Sequence, residues 1–185
     1  MTFFFLLLFI IGSFLFKTQF LLFSLFSLTL ILFIYDRYHK SSLLLSFGVS
    51  LFWSVFSVDF YNYSFSYKVL NLFDLFPFLA FGVGLYASYY MFYKILDFFE
   101  LKSLNLRLEL IIYFVYYVLI MLFGEWFFYY FVGVQNLATV AFPPLEICNC
   151  LHAPPAMAAV YMLMGPLFFI LNTNLQIYLK EKINV

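Results

Sequence analysis

Residues 43–58 read LLLSFGVSLFWSVFSV, sixteen positions without a charge. A strand of a transmembrane barrel would alternate apolar and polar residues, one face to lipid and one to the lumen. This run is predominantly apolar on every face, so a barrel is rejected and a membrane-buried helix is expected. Similar runs recur at 3–16, 20–35, 77–93, 109–132 and 156–179. Together they give about six transmembrane helices in one integral membrane domain spanning 1–185, an all-α polytopic fold.

Composition supports the same class. Hydrophobic residues make up 66% of the 185 positions and charged residues only 10%, against about 25% charged in an ordinary globular chain. A soluble domain of this length lacks the polar surface to cover so much apolar area. The net charge of zero excludes nucleic acid, which demands clustered lysine and arginine. The partners expected are membrane lipids and other membrane subunits. Thirty Phe and sixteen Tyr suggest T-rich codons, as in an AT-rich bacterial or organellar genome. The bacterial plasma membrane is therefore the expected location, with the inner mitochondrial membrane as the alternative.

Between the spans lie the charged or polar breaks. Lys17, Thr18 and Gln19 follow the first run, which at fourteen residues is short for a span but lacks the basic n-region and cleavage site of a signal peptide. The segment 59–74 is polar and tyrosine-rich. The segment 94–107, KILDFFELKSLNLR, is a charged connection that can continue as an amphipathic interfacial helix. With six spans, Arg37, Lys40, Lys94, Lys102, Arg107, Lys180 and Lys182 fall on one side and only Lys17 and Lys68 on the other. The basic excess places both termini in the cytoplasm or matrix. A faint echo links 43–98 with 109–179: each has a Trp late in one span (Trp53, Trp126), a polar loop, and a Phe-Pro step (Phe76-Pro77, Phe142-Pro143) before the next.

The stretch 134–166 departs from the rest. It holds a single Phe, six of the eight alanines and five of the six prolines. Within it PPLEICNCLHAPP, residues 143–155, contains both cysteines. Its paired prolines break helices and force extended backbone before them. An ordered re-entrant or interfacial loop on the non-cytoplasmic side is expected, packed over the span ends. As a short helix it would align Glu146, Asn149 and Cys150; as an extended strand it would align Glu146, Cys148, Cys150 and His152. The second pattern, E-x-C-x-C-x-H, offers soft-metal donors, making Cys148, Cys150 and His152 weak metal candidates. Its spacing resembles no standard zinc pattern, so no metal and no cofactor is assigned. A bridge between cysteines one residue apart would be cramped. Two thiols packed among alanines are the plainer expectation.

Glu125 is the most informative single residue. It lies inside the fifth run, where a lone carboxylate must be protonated, paired or bonded. Asp59 closes the third run near the same side. Glu125, Glu146, His152 and Asp59 are thus the candidate catalytic residues, able to act as acids and bases if they converge. No nucleotide-binding, metalloprotease or serine-hydrolase motif occurs in the sequence. Three functions are compatible with this pattern. The first expectation is a non-catalytic subunit or scaffold of a membrane complex. The alternative is a membrane-embedded enzyme acting on a lipid or isoprenoid-like substrate. A small-solute carrier is the third, with Gly82-x-Gly84 and Gly165-Pro166 as hints of discontinuous helices.

Overall fold

The computed structural model describes residues 21–36, 39–101, 104–147 and 149–183. The run at 3–16 lies outside them. Five helices carry the described chain: α1 (Leu21–Tyr35), α2 (Lys40–Phe56), α3 (Leu75–Phe98), α4 (Leu106–Phe127) and α5 (Pro155–Ile183). Three of them, α3, α4 with its extension to Val132, and α5, are long and apolar enough to cross a membrane; α1 and α2 are apolar but shorter.

The helix starts follow from local chemistry. Asp74 caps α3 by accepting from the Phe76 N–H at 3.0 Å, and Asn105 caps α4 by accepting from Leu108 N–H at 2.9 Å. Each side chain satisfies a donor that the first turn leaves orphaned. Pro77 and Pro155 sit in first turns, where a missing N–H costs nothing. Pro166 lies inside α5, yet the helix runs unbroken through it, and α3 runs unbroken through Gly82 and Gly84. Among the described residues of the segment 94–107 no helix separate from α3 and α4 occurs. Its first part is the last turn of α3, which ends where Glu100 takes a φ of 57°.

Packing pairs α2 with α3 and α4 with α5 as two hairpins. Leucines 21, 25, 28 and 32 form one stripe of α1, laid against Phe47 of α2 and Phe76, Leu79 and Val83 of α3. That spacing is the helical i, i+4, i+7 repeat. A second core gathers Phe92, Tyr113, Tyr117, Phe168 and Phe169 from α3, α4 and α5, with Tyr113 and Phe169 ring centroids 4.9 Å apart. Two glycines let the backbones approach: a Cβ at Gly82 would overlap the Phe47 ring, and one at Gly165 the Tyr117 ring.

Long-range hydrogen bonds fix the direction of α5 against α2. The Gln176 amide of α5 donates to Ser42 Oγ at the start of α2 at 2.9 Å. Trp53, near the end of α2, reaches Tyr161, near the start of α5, through Tyr61. The two helices are therefore antiparallel. The polar segment after α2 is not wholly irregular. It forms a small antiparallel hairpin, β1 (Lys68–Val69) with β2 (Phe73–Asp74), whose turn puts Leu70 and Asn71 at positive φ.

Candidate functional site

The site begins with two connections held edge to edge. Asn136 accepts from the Asn62 N–H at 3.0 Å and donates to the Phe60 carbonyl at 2.7 Å, while Leu137 N–H donates to the Asn62 carbonyl at 2.8 Å. The connection after α2 and the one after α4 thus lie at the same end of the bundle. Beneath them the Trp53 indole donates to the Tyr61 hydroxyl at 2.7 Å, which is 2.7 Å from the Tyr161 hydroxyl. Burial raises the pKa of Tyr61 and Tyr63 above the ordinary phenol value. Both phenols keep their protons and can donate.

Glu125 sits near the end of α4, just before the helix widens into a π turn over Phe128–Val132. Gly133 closes that turn in the left-handed region at φ 79°, and Val134 N–H returns to the Phe128 carbonyl at 2.9 Å. Such π insertions recur where a helix re-aims side chains at functional sites. Glu125 is half-buried, and no described residue donates a hydrogen bond to its carboxylate.

The described residues of the proline-bracketed segment form a turn rather than a helix or a strand ladder. Leu145 N–H donates to the Cys150 carbonyl at 2.8 Å, and Asn149 and Leu151 take φ values of 47° and 52°. Asn149 is latched to α4: its carbonyl accepts from the Tyr130 hydroxyl and its amide donates to the same oxygen, both at 2.9 Å. Cys150 and Leu151 are buried against Met157 and Tyr161. The turn points Leu151 into the core and carries His152 to the rim. There the His152 ring stacks on Tyr129 with centroids 5.1 Å apart. Its Nδ1 lies 2.9 Å from the Phe142 carbonyl. A carbonyl only accepts, so Nδ1 carries the hydrogen of this bond and Nε2 is the nitrogen left for other partners.

Of the four expected acid–base residues, two come together. Glu125 and His152 line one small polar cavity of about 40 Å³, with Tyr63, Asn136, Thr139 and Tyr161. Glu146 and Asp59 are exposed and do not line it. Because the segment turns back on itself, Glu146 faces out while Cys150 is fully buried, so the aligned E-x-C-x-C-x-H face does not form. Cys150 is disulfide-bonded rather than a packed thiol, and Cys148 lies outside the described residues. Among the described residues no three His, Cys, Asp or Glu side chains gather as a metal site.

Glu125, Tyr63, Val134 and Tyr161 also wall a second, larger cleft of about 300 Å³. Apart from Ser88 and Tyr117 its remaining lining is apolar, including Leu21 and Leu25 of α1, Ala80 and Gly84 of α3, and Ile120 and Met121 of α4. The carboxylate therefore stands where an apolar cleft meets a polar pocket. That arrangement can receive an apolar tail and present a polar end to a carboxylate, an imidazole and two phenols. The sequence pointed to Glu125 and His152 as ionisable residues near hydrocarbon. Tyr129, Tyr161 and Thr139 carried no signal, since one tyrosine among sixteen is indistinguishable from filler. No protein-family model, curated protein or solved structure matches this chain.

Proposed function

We propose that this chain is a membrane-embedded enzyme whose Glu125–His152 pocket binds a lipid or isoprenoid-like molecule and moves a proton at its polar end. The observation that carries the reading is the position of Glu125 on the shared wall of the polar pocket and the apolar cleft. In the proposed roles, Nε2 of His152 is the base, Glu125 is its acidic counterpart, and Tyr63 and Tyr161 hold the substrate's oxygen by hydrogen bonds. The proposed topology is six spans with both termini in the cytoplasm or matrix, in keeping with seven basic residues against two. The pocket then opens on the opposite, non-cytoplasmic face. The membrane is the bacterial plasma membrane, with the inner mitochondrial membrane as the other candidate.

The test uses the cleft itself. Gly84 lines the cleft and an added Cβ there meets nothing within 4 Å, so Gly84→Leu is the substitution chosen to narrow it. Wild-type protein extracted in mild detergent should retain an apolar-tailed molecule, identified by mass spectrometry of its organic extract. Gly84→Leu should lose it. The same lipid complement in both proteins would overturn the reading.

A second reading is a non-catalytic subunit or scaffold of a membrane complex. One observation favours it: along α4 only Tyr113 and Tyr117 are buried, which leaves most of an apolar helix free to meet another subunit or lipid. Co-purification of one partner at fixed stoichiometry, unaffected by Glu125→Gln, would support that reading over the enzyme.

A further inference from the structure

At the end of the bundle away from Glu125, a separate cavity of about 510 Å³ opens between α2, α3 and α5. We propose that it is a second binding site, for a neutral polyhydroxyl group such as a sugar or glycerol, and that it works independently of the Glu125–His152 pocket. The two share no lining residue.

One wall is aromatic. Tyr86, Tyr89, Tyr90 and Tyr93 all line the cavity, and their spacing of three and four residues puts them on one face of α3. Four rings carrying hydroxyls give flat apolar faces edged with donors and acceptors. The facing wall is polar. Gln176 of α5 uses its amide nitrogen on Ser41 Oγ and Ser42 Oγ, at 3.3 and 2.9 Å, which leaves its carbonyl oxygen to accept and the serine hydrogens to donate. Beside it, the Thr173 hydroxyl lines the cavity next to the Tyr89 and Tyr93 hydroxyls. A hydroxylated ligand in the cavity can join this set of hydroxyls, each able to give and to accept.

Charge decides the class of ligand. Among the lining residues Lys94 and Asp97 supply one charge of each sign, and Lys94 Nζ already lies 5.5 Å from the Tyr90 ring centroid. His39 is bonded through Nδ1 to Asp36 at 3.0 Å, and the Tyr86 hydroxyl donates to the same carboxylate. Among the described lining residues the two formal charges are of opposite sign, which favours a ligand without net charge. A hydroxylated neutral group uses what remains: hydroxyls and amides that both give and accept.

Full-length protein in dodecylphosphocholine, which has no sugar head, is titrated with radiolabelled octyl glucoside by equilibrium dialysis. The expected result is saturable binding of one glucoside per chain. Thr173→Val and Gln176→Leu should each weaken it by about tenfold, the loss of one or two good hydrogen bonds. Gly84→Leu, which narrows the other cleft, should leave it unchanged. If Thr173→Val does not fold, Tyr93→Phe takes its place. Displacement by free glucose would identify a soluble sugar as the source, and displacement only by glycosylated amphiphiles a lipid headgroup; both outcomes support the site. Absence of saturable binding, stronger displacement by dodecyl phosphate than by unlabelled octyl glucoside, or wild-type affinity in the variants would overturn it.

Discussion

Replacing Tyr61 by phenylalanine removes one oxygen atom and two hydrogen bonds. That oxygen joins the Trp53 indole and the Tyr161 hydroxyl, each at 2.7 Å, and Tyr61 is fully buried while Tyr161 is 5% exposed. Each bond contributes about 1 kcal/mol in soluble proteins and about 0.6 kcal/mol on average within membranes. The substitution also leaves the Trp53 N–H unpaired, adding about 1 kcal/mol or more. We expect Tyr61→Phe to cost about 2–3 kcal/mol. Tyr161→Phe breaks only one of the bonds and leaves Trp53 paired, so it should cost about 1 kcal/mol. Unfolding by dodecyl sulfate in mixed micelles, followed by fluorescence of the two tryptophans, measures both. Equal costs for the two variants, or a cost below about 0.5 kcal/mol for Tyr61→Phe, would refute the claim that this hydroxyl bridge ties α2 to α5.

Three further outcomes can be checked on the same preparation. Gly165→Ala should destabilise by about 1–3 kcal/mol because its Cβ overlaps Tyr117, whereas Gly124→Ala, with nothing within 4 Å of its Cβ, should be close to neutral. Asn136→Ala removes the clasp to Phe60 and Asn62 and should cost about 1–2 kcal/mol in the same titration. Burial, only partly offset by Ser66 and the Phe76 N–H, raises the Asp74 pKa above its ordinary 3.8. The folded protein thus holds that proton to higher pH than the unfolded chain does. This contribution to stability is full below pH 3.8 and declines as pH rises through the folded value. Asp74→Asn, which keeps a capping side chain, should flatten the decline in melting temperature with pH.

The helices were legible because a bilayer imposes long apolar runs, and polar breaks must fall between them. The run 109–132 stood out for that reason, although the helix begins earlier, at Leu106 after the Asn105 cap. The fourth run was expected to end at residue 93, whereas α3 continues through charged positions to Phe98, because Phe98 and Phe99 among charges fit an interfacial helix and a helix end equally. The hairpin at 68–74 was not foreseen, since its turn residues, Leu70 and Asn71, include no glycine to mark it. In the proline-bracketed segment a break in helix was foreseeable from the prolines, but the path of the turn was not. Positive φ at Asn149 and Leu151 and the latch from Tyr130 are set by contacts across the fold. The same holds for the site. Glu125 and His152 were visible as costly residues, whereas Tyr63, Tyr129 and Tyr161 become distinct from lipid-facing aromatics only once the fold places them around a cavity.

The central claim is that an apolar tail enters the cleft beside Glu125. A lipid analogue with a diazirine midway along its acyl chain, photolysed on the intact protein in membranes, tests it at residue resolution by peptide mass spectrometry. The account predicts adducts on the cleft lining, at Ala80, Gly84 and Met121, and their loss in Gly84→Leu. Adducts confined to the outward face of α4, at Leu119 and Phe123, which are 63% and 60% exposed, would contradict it.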